Sequence, residues 1–174
     1  DEESNSSPRS SSNALLWGAN IAGSSSTDSI QAIEMDAMGR TYVCGYFYNS
    51  ATFGNTTLSS YGSYDIFVGR LSNGVWDWVQ RAGGTSSDQC HDIAVDDGGN
   101  ITITGYYYSS SSATFGTQSV SGRGSNDIFV SRLDSSGNWL WTTSAGSSSS
   151  DYGYGVAMDS AGNAYLTGAY YSTG

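Results

Sequence analysis

The chain contains no lysine and a single histidine among its 174 residues. Its six arginines are outnumbered by sixteen acidic residues, so the formal net charge is −10. Such a field repels the phosphates of nucleic acids and of anionic lipids, which argues against both as partners. The acidic surface is compatible with simple solubility, with adaptation to high salt or with cation binding, and we favour the first.

Proline and helix-forming residues are also scarce, with one Pro against 23 Gly. No stretch of roughly 18 consecutive apolar residues occurs, so the sequence contains no transmembrane helix. The apolar fraction is 37%, and 13 Tyr, 5 Trp and 5 Phe supply an unusual share of it. Many glycine turns and many aromatic residues predict an all-β fold of short strands around an aromatic core.

The N-terminal segment differs from the remainder of the chain. Residues 1–14 are rich in serine and lack hydrophobic periodicity, which predicts a flexible tether. The tether either has no role or holds the domain away from an anchor. The sequence begins without an initiator Met or a signal peptide, which is typical of a processed or trimmed product.

An internal repeat organises the rest of the chain. A strand bearing a Trp pair leads to Ala-Gly, and a Ser-rich loop then ends in an Asp five residues later. A short apolar strand, an Asp-x-x-Gly turn, a tyrosine-rich strand and a D-I-F-V strand follow. The aspartates that end the loops are Asp28, Asp88 and Asp151, which lie 60 and 63 residues apart.

The turns of the repeat have a recognisable chemistry. Each opens with an Asp and carries a Gly three residues later, as at Asp36 and Gly39. The Asp carboxylate bonds backbone amides ahead of it, and the Gly tolerates positive φ, as in a hairpin built on a type I turn with a bulge. We therefore assign these aspartates a structural role.

The strands predict β-propeller blades of four antiparallel strands. Apolar residues run consecutively, as in Ile66, Phe67 and Val68, which is typical of sheets covered on both faces. The predicted units are an outer strand at 15–23, blades at 24–83 and 84–146, and a partial blade at 147–174. These amount to roughly two and three-quarter blades, whereas a closed propeller has about four to eight. The chain is then part of a larger propeller, a ring closed between copies or an open stack, and we favour the first.

The repeat resembles a known family over residues 15–174. The motifs are D-x-x-G-N, T-G-Y, F-G and D-I-F-V-x-R-L, and they resemble the bacterial and archaeal β-propeller repeat called SBBP most closely at 96–106, at 159–167 and in the two D-I-F-V segments. The resemblance implies an extracellular or cell-surface propeller within a multidomain protein and no single enzymatic activity. Arg70 and Arg132 stand where the family usually has Lys, an exchange expected to change little.

His91 is the first candidate for chemistry. With Asp88, Cys90 and Asp92 nearby in sequence it forms a candidate metal site, although an ordinary polar residue at a strand entrance is the interpretation we favour. No Ser, His and acid form a recognisable triad, and Asp92 and Asp97 are the non-repeated candidates for a glycosidase pair of acids. We predict that the protein is not an enzyme.

The loop aspartates are candidates for a cation site. Asp28, Asp88 and Asp151 each offer a carboxylate beside loop carbonyls, which are ligands that Ca²⁺ prefers. The alternative, which we favour, is that each one caps its own loop. No other cofactor is predicted.

Tyrosines at the strand ends are candidates for ligand binding, because their rings stack on sugar rings when they reach a propeller face. The alternative, which we favour, is that they fill the gaps between blades. The candidate ligand-binding residues are Tyr46, Tyr48, Tyr106, Tyr108, Tyr170 and Tyr171, together with His91.

Cysteine and asparagine residues leave further alternatives. Cys44 and Cys90 lie in adjacent repeats at non-equivalent positions, so they form either a disulfide between units or, as we favour, two separate buried residues. Three N-x-Ser/Thr triplets permit glycosylation, and the one in a polar loop is the best placed. These triplets begin at Asn5, Asn55 and Asn100, and Asn55 is the one in the loop.

The sequence thus predicts an extracellular or cell-surface module that is structural or displays loops to a protein or glycan ligand. The loops expected to make these contacts are 49–64 and 109–126. Self-assembly into a filament, a surface layer or a ring closed between copies is the alternative function.

Overall fold

A computed structural model describes residues 21–23, 27–108 and 110–171 of the protein, with only the backbone at 21–23. The predicted tether and most of the predicted outer strand at 15–23 lie outside the described residues. The regular secondary structure in these ranges consists of β-strands. The same ranges contain no helix that is long and apolar enough to cross a membrane. The strands are β1 (Ile21–Gly23), β2 (Ser29–Met35), β3 (Thr41–Phe53), β4 (Thr56–Ser72), β5 (Val75–Gly83), β6 (Gln89–Val95), β7 (Ile101–Tyr108), β8 (Ala113–Phe115), β9 (Gln118–Val120), β10 (Asn126–Leu133), β11 (Trp139–Ala145), β12 (Tyr152–Met158) and β13 (Ala164–Ala169).

The strands form sheets that pack face to face. Blade 1 consists of β2, β3, β4 and β5, each paired antiparallel with the next. Blade 2 consists of β6, β7, β10 and β11 in that order, and β12 with β13 forms the partial blade. The first strand of each unit is the inner strand, and β6 contacts both β2 and β12. The predicted all-β architecture of propeller blades is confirmed, and the described sheets form an open set rather than a closed ring.

The hydrophobic core lies between the blades. Tyr42, Cys44 and Ile66 of blade 1 pack with Ile103 and other buried residues of blade 2 in one cluster. A second cluster lies on the opposite face of blade 1. Because both faces of a blade are covered, consecutive residues of one strand are buried, which explains the missing alternation of apolar and polar residues.

The turns follow the predicted chemistry. Asp36 Oδ1 accepts hydrogen bonds from the amides of Met38 and Arg40, at 2.9 and 3.0 Å. Gly39 has a φ of 78°, in the left-handed region that glycine tolerates. The same carboxylate-to-amide bonds recur in the turns that begin at Asp96, Asp134 and Asp159.

The prediction of variable loops at 49–64 and 109–126 is wrong for much of both segments. The first is a continuation of the β3–β4 hairpin, and the second contains the β8–β9 hairpin. Each hairpin adds to the outer strand that precedes its blade, since β3 pairs with β1 and β8 pairs with β5. Buried Phe53 and Phe115 hold the hairpins against the core, so the segments join neighbouring blades.

Cys44 and Cys90 form a disulfide, which corrects the expectation of two separate buried residues. Cys44 lies on β3 and Cys90 on β6, with their Cα atoms 5.9 Å apart. Face-to-face packing places the second strand of blade 1 over the inner strand of blade 2. Two positions that are not equivalent in the repeat therefore oppose each other, and the bond crosses the interface between the blades.

Candidate functional site

Each inner strand carries a β-bulge at the same position. The pairing register shifts between Ile30 and Ala32 in blade 1, and again at 90–92 and 153–155 in the following units. The extra residues of the three bulges are Gln31, His91 and Tyr154. A bulge re-aims a side chain and is frequent beside functional sites. We call these three residues the bulge residues. Their identity differs from unit to unit, although the bulge itself recurs in each unit.

The sequence contained a signal for these bulges that strand patterns alone do not reveal. The second strand of every unit has a Gly opposite the bulge, at Gly45, Gly105 and Gly168. A Cβ atom at Gly105 would lie 2.0 Å from the carbonyl oxygen of Gln89, which is too close for any side chain. The Gly of the T-G-Y motif therefore marks the place where the bulged inner strand approaches the second strand.

Four aromatic side chains meet where blade 2 packs against the partial blade. His91 lies against Tyr106, with ring centroids 5.4 Å apart, and nearly parallel to Tyr154 at 5.9 Å. Tyr152 completes the group, 5.2 Å from Tyr106 and 6.1 Å from Tyr154. We call His91, Tyr106, Tyr152 and Tyr154 the aromatic cluster.

A backbone carbonyl fixes the imidazole in the aromatic cluster. His91 Nδ1 lies 2.9 Å from the carbonyl oxygen of Gly153. Because a carbonyl only accepts, Nδ1 carries the hydrogen and donates it, which leaves Nε2 of the neutral ring as an acceptor. Tyr154 is 54% exposed, so the cluster presents an aromatic surface beside a ring held in a fixed orientation.

The predicted ligand-binding tyrosines fall into two groups. Tyr46, Tyr48 and Tyr106 are partly buried, and Tyr46 and Tyr48 both contact the ring of Tyr64, at 5.2 and 5.4 Å. Burial raises the pKa of Tyr106 to about 12, so its phenol is neutral at physiological pH. Tyr106 belongs to the aromatic cluster, and Tyr108, Tyr170 and Tyr171 are exposed. Ligand binding by these tyrosines stays a prediction.

The candidate metal site around His91 is not assembled in the described ranges. Cys90 is in the disulfide, and Asp92 Oδ2 accepts a hydrogen bond of 2.7 Å from the amide of Val156. Across the described ranges, no three His, Cys, Asp or Glu side chains converge on a point suited to a metal ion. The triplet 90–92 instead connects blade 2 to both neighbours, through the disulfide on one side and through His91 and Asp92 on the other.

The loop aspartates bond the backbone of their own units. Asp88 Oδ1 accepts from the amide of Tyr108 at 3.0 Å, and Oδ2 accepts from that of Gly84 at 2.7 Å. Asp151 and Asp28 bond the corresponding amides of Tyr171 and Tyr48. Each Asp therefore caps its own loop, and its hydrogen bonds connect that loop to the end of the second strand. Calcium binding by Asp28, Asp88 and Asp151 stays a prediction.

A buried pair of carboxyl groups was missed by the sequence analysis. Asp65, the first residue of the D-I-F-V motif, is fully buried and lies beside Asp88 and Gly83. A Cβ atom at Gly83 would lie 3.0 Å from both Asp65 Oδ1 and Asp88 Oδ2. Burial raises the pKa of Asp65 to about 7 and also raises that of Asp88. Asp65 Oδ1 accepts no hydrogen bond from the described residues.

Arg132 links two blades, which revises the expectation that Arg in place of Lys changes little. Its Nη2 lies 2.6 Å from Asp96 Oδ2, and its Nη1 donates to the carbonyl of Gly162 at 2.6 Å. Arg70 likewise bonds Asp77 and the carbonyl of Ser135 in the next blade. Each guanidinium uses two of its nitrogens at once, and the single ammonium of Lys does not reproduce that fork.

The glycosylation triplets differ in accessibility. Asn55 is exposed at the tip of the β3–β4 hairpin. The Asn100 amide donates to both carboxylate oxygens of Asp96, at 3.2 and 2.9 Å. Asn5 lies outside the described residues. Glycosylation stays a prediction, with Asn55 the most accessible site of those described.

Blades of four antiparallel strands, packed face to face, define the class of protein as a β-propeller repeat protein. Residues 77–106 and 140–169 match the SBBP family of β-propeller repeats. Each matched segment runs from an outer strand into the first two strands of the next unit. The resemblance predicted from the motifs is confirmed.

The chain is also similar to an uncharacterised WD repeat-containing protein of Acanthamoeba polyphaga mimivirus. The two are 23% identical over an alignment of 109 residues, which covers 53% of this chain and 8% of the relative. The chain thus aligns with only a small part of that protein. This similarity supports a repeat module.

Proposed function

We propose that the protein is a non-catalytic binding module of the cell surface or extracellular space, and that the aromatic cluster is its ligand-binding surface. The observation that carries this proposal is the position of two bulge residues, His91 and Tyr154. The exposed ring of Tyr154 lies beside the imidazole of His91, whose orientation is fixed. The ligand is a protein or a glycan, since both offer flat apolar groups next to hydrogen-bond donors.

The chemistry of the cluster suits such a ligand. A tyrosine face stacks on the apolar face of a sugar ring or on an apolar side chain, and it loses little conformational entropy on binding. Nε2 of His91 accepts a hydroxyl or amide hydrogen from the same ligand. The net charge of −10 favours neutral or cationic ligands over anionic ones.

The location outside the cell is supported by the disulfide. Disulfides persist in oxidising compartments and are rare in the cytosol, and the Cys44–Cys90 bond is fully buried. Thiol trapping in intact source cells tests this part of the proposal. Both cysteines are expected to resist alkylation until a reductant and a denaturant are added, whereas free thiols in freshly lysed cells would contradict it.

The absence of catalysis is supported by how the reactive groups are used. Both cysteines are joined to each other, and Nδ1 of His91 donates to a backbone carbonyl rather than to an acid. Asp92 bonds an amide of the partial blade, and Asp97 is exposed in a turn. Except for Asp97, these groups connect neighbouring blades in the described ranges.

Ligand binding is tested on arrays of glycans and of extracellular protein domains with the labelled protein. Wild type is expected to give a reproducible signal that Tyr154→Ala weakens by roughly tenfold or more. Tyr61→Ala is the matched control, because Tyr61 is equally exposed but lies on a different blade. Empty arrays, or an equal loss with both variants, would overturn the proposal.

Self-assembly, the alternative predicted from the sequence, stays a prediction.

A further inference from the structure

One carboxyl oxygen at the junction between blades 1 and 2 lacks a hydrogen-bond donor. Asp65 begins the D-I-F-V segment of β4 and is fully buried, and its Oδ1 atom accepts no hydrogen bond from the described residues. A buried carboxylate oxygen without a partner is unfavourable, because water no longer solvates it. The packing of the blades alone therefore does not explain the placement of this atom.

The unpaired oxygen shares its surroundings with a second buried carboxyl group. Asp88 ends the loop that leads into β6 of blade 2 and is 1% exposed. A Cβ atom at Gly83 would lie 3.0 Å from Asp65 Oδ1 and 3.0 Å from Asp88 Oδ2, so both oxygens border the space that this glycine leaves open. Gly83 has a φ of 142°, a conformation that other residues rarely adopt. The position thus favours a residue without a Cβ atom.

The other oxygens of the pair already have donors. Asp65 Oδ2 accepts a hydrogen bond from the amide of Tyr61 at 3.0 Å, and both oxygens of Asp88 accept from amides. The Nε atom of Arg81 approaches the same Asp65 Oδ2, at 3.8 Å. The guanidinium also lies over the ring of Tyr61 and donates to the carbonyl of Ser59 at 2.7 Å. Arg81 is therefore directed at Oδ2, and the space beside Gly83 is bordered by two acidic groups.

The same arrangement of acidic residues recurs one unit later. Asp127 and Asp151 occupy the positions of Asp65 and Asp88, and both are buried. A Cβ atom at Gly146, the equivalent of Gly83, would lie 2.4 Å from Asp127 Oδ1. Asp127 Oδ2 and Asp151 Oδ2 each accept from the amide four residues earlier, at 3.1 and 2.6 Å. The pair of carboxyl groups beside a glycine is thus a regular feature of the junction between units.

We propose that Asp65 and Asp88 bind a hard divalent cation such as Ca²⁺, held between Asp65 Oδ1 and Asp88 Oδ2 beside Gly83. Carboxylate oxygens are ligands that Ca²⁺ prefers, and backbone carbonyls and waters commonly complete its coordination, so a third acidic side chain is not required. A positive ion also offsets the repulsion between two neighbouring carboxylates. The site differs from one built on the loop aspartates alone, because a strand residue supplies the unpaired oxygen.

A cation at this position has a structural consequence. It connects β4 of blade 1 to the loop that precedes β6 of blade 2, and it therefore stabilises the junction between the blades. This role is independent of ligand binding by the aromatic cluster, which lies between blade 2 and the partial blade.

Isothermal titration calorimetry with Ca²⁺ tests the site. The titration is made at about pH 8, above the pKa of about 7 that burial gives Asp65. Wild type, first treated with a chelator, is expected to show saturable binding. Asp65→Asn is expected to bind one ion fewer per chain, because a neutral amide replaces the carboxylate. Asp97→Asn is the matched control, since Asp97 is an exposed acid in a turn, and it is expected to bind as wild type does.

Three results would overturn the proposal. They are a wild type that binds no Ca²⁺ at concentrations up to about 10 mM, an Asp65→Asn variant that binds as many ions as wild type, and an equal loss of binding in Asp97→Asn.

Thermal unfolding provides a second measurement, which needs no variant. Because a bound ion stabilises the folded state by mass action, saturating Ca²⁺ is expected to raise the Tm of wild type by several degrees relative to the protein in EDTA. Asp65→Asn is expected to show a smaller shift, and Asp97→Asn the full shift. A wild-type Tm that is the same in Ca²⁺ and in EDTA would contradict a cation that joins the blades.

Discussion

At the scale of single residues, the buried carboxyl of Asp65 makes stability depend on pH. Burial raises its pKa from the ordinary value of 3.8 to about 7 in the folded protein. The folded state therefore holds this proton more tightly than the unfolded state does. The stability that this protonation contributes is complete below about pH 4 and is lost as the pH rises through about 7.

Replacement of Asp65 by Asn is expected to remove this pH dependence. Asn stays neutral and keeps an oxygen for the amide of Tyr61, which Asp65 Oδ2 accepts at 3.0 Å. Between about pH 4 and pH 8, the free energy of unfolding of wild type should fall by on the order of 3 kcal/mol relative to that of Asp65→Asn, as measured by urea unfolding. Asp97→Asn, at an exposed turn, should follow the wild-type curve. Parallel curves for wild type and Asp65→Asn would contradict the assignment.

Gly105 is expected to be indispensable for the bulge at His91. A Cβ atom there would meet the carbonyl oxygen of Gln89 at 2.0 Å, and backbone cannot move aside as a flexible side chain can. Gly105→Ala should cost about 3 kcal/mol or more in the free energy of unfolding. Gly98→Ala, whose nearest atoms belong to side chains at 3.2 and 3.3 Å, should cost less than about 1 kcal/mol. Equal losses would show that the close approach does not exist.

Residue-level features differed in how far the sequence predicted them. The turn aspartates were predicted because their chemistry is local, with Asp36 bonding amides two and four residues ahead. The pairing of Asp65 with Asp88 was not, because it depends on how strands of different blades are placed, which no short window of sequence records. The bulges at Gln31, His91 and Tyr154 were not predicted either, although the Gly opposite each one was a signal for them.

At the scale of strands and hairpins, the Cys44–Cys90 bond joins β3 to β6 and closes a sequence separation of 46 residues. Removing it with Cys44→Ala plus Cys90→Ala is expected to lower the free energy of unfolding by about 2–4 kcal/mol, because the unfolded chain regains freedom. Guanidinium unfolding with and without reductant measures this loss. The double variant should be indifferent to reductant, and a wild type that is equally indifferent would contradict the bond.

Arg132 should not tolerate replacement by Lys. Its guanidinium bonds the turn of its own blade at Asp96 and the turn of the partial blade at Gly162. Arg132→Lys is expected to lose about 1–2 kcal/mol of stability in thermal or urea unfolding, since one ammonium replaces two separate donors. Arg123→Lys, at an exposed position, is the control and should be neutral. If both exchanges are neutral, Arg132 does not link the blades.

The strands were predicted better than the hairpins that connect them. Segments such as Asp65 to Leu71 have β-forming residues and clear turn signals on either side. The hairpins at Ala51–Phe53 and Ala113–Phe115 were predicted as loops because Ser, Thr and Gly dominate around them. Their buried Ala and Phe at alternate positions were the signal of a strand, but only pairing with the preceding outer strand makes these short segments stable.

At the scale of the whole molecule, the repeat is what made the fold predictable. Three copies of one pattern reveal which residues belong to turns, strands and blade faces without any knowledge of the ligand. The proposed binding surface was only partly predicted, because His91 and Tyr106 were named but Tyr152 and Tyr154 were not. Contacts between units place those rings together.

The central claim is that the blades pack face to face within the chain. Hydroxyl-radical footprinting of the equivalent residues Tyr42 and Tyr165, read by mass spectrometry, tests it most directly, because Tyr42 is fully buried between blades and Tyr165 is 59% exposed. We predict that Tyr42 is protected in the native protein and becomes reactive on unfolding in urea, whereas Tyr165 is reactive in both states. A Tyr42 that is as reactive as Tyr165 in the native protein would contradict the packing between blades.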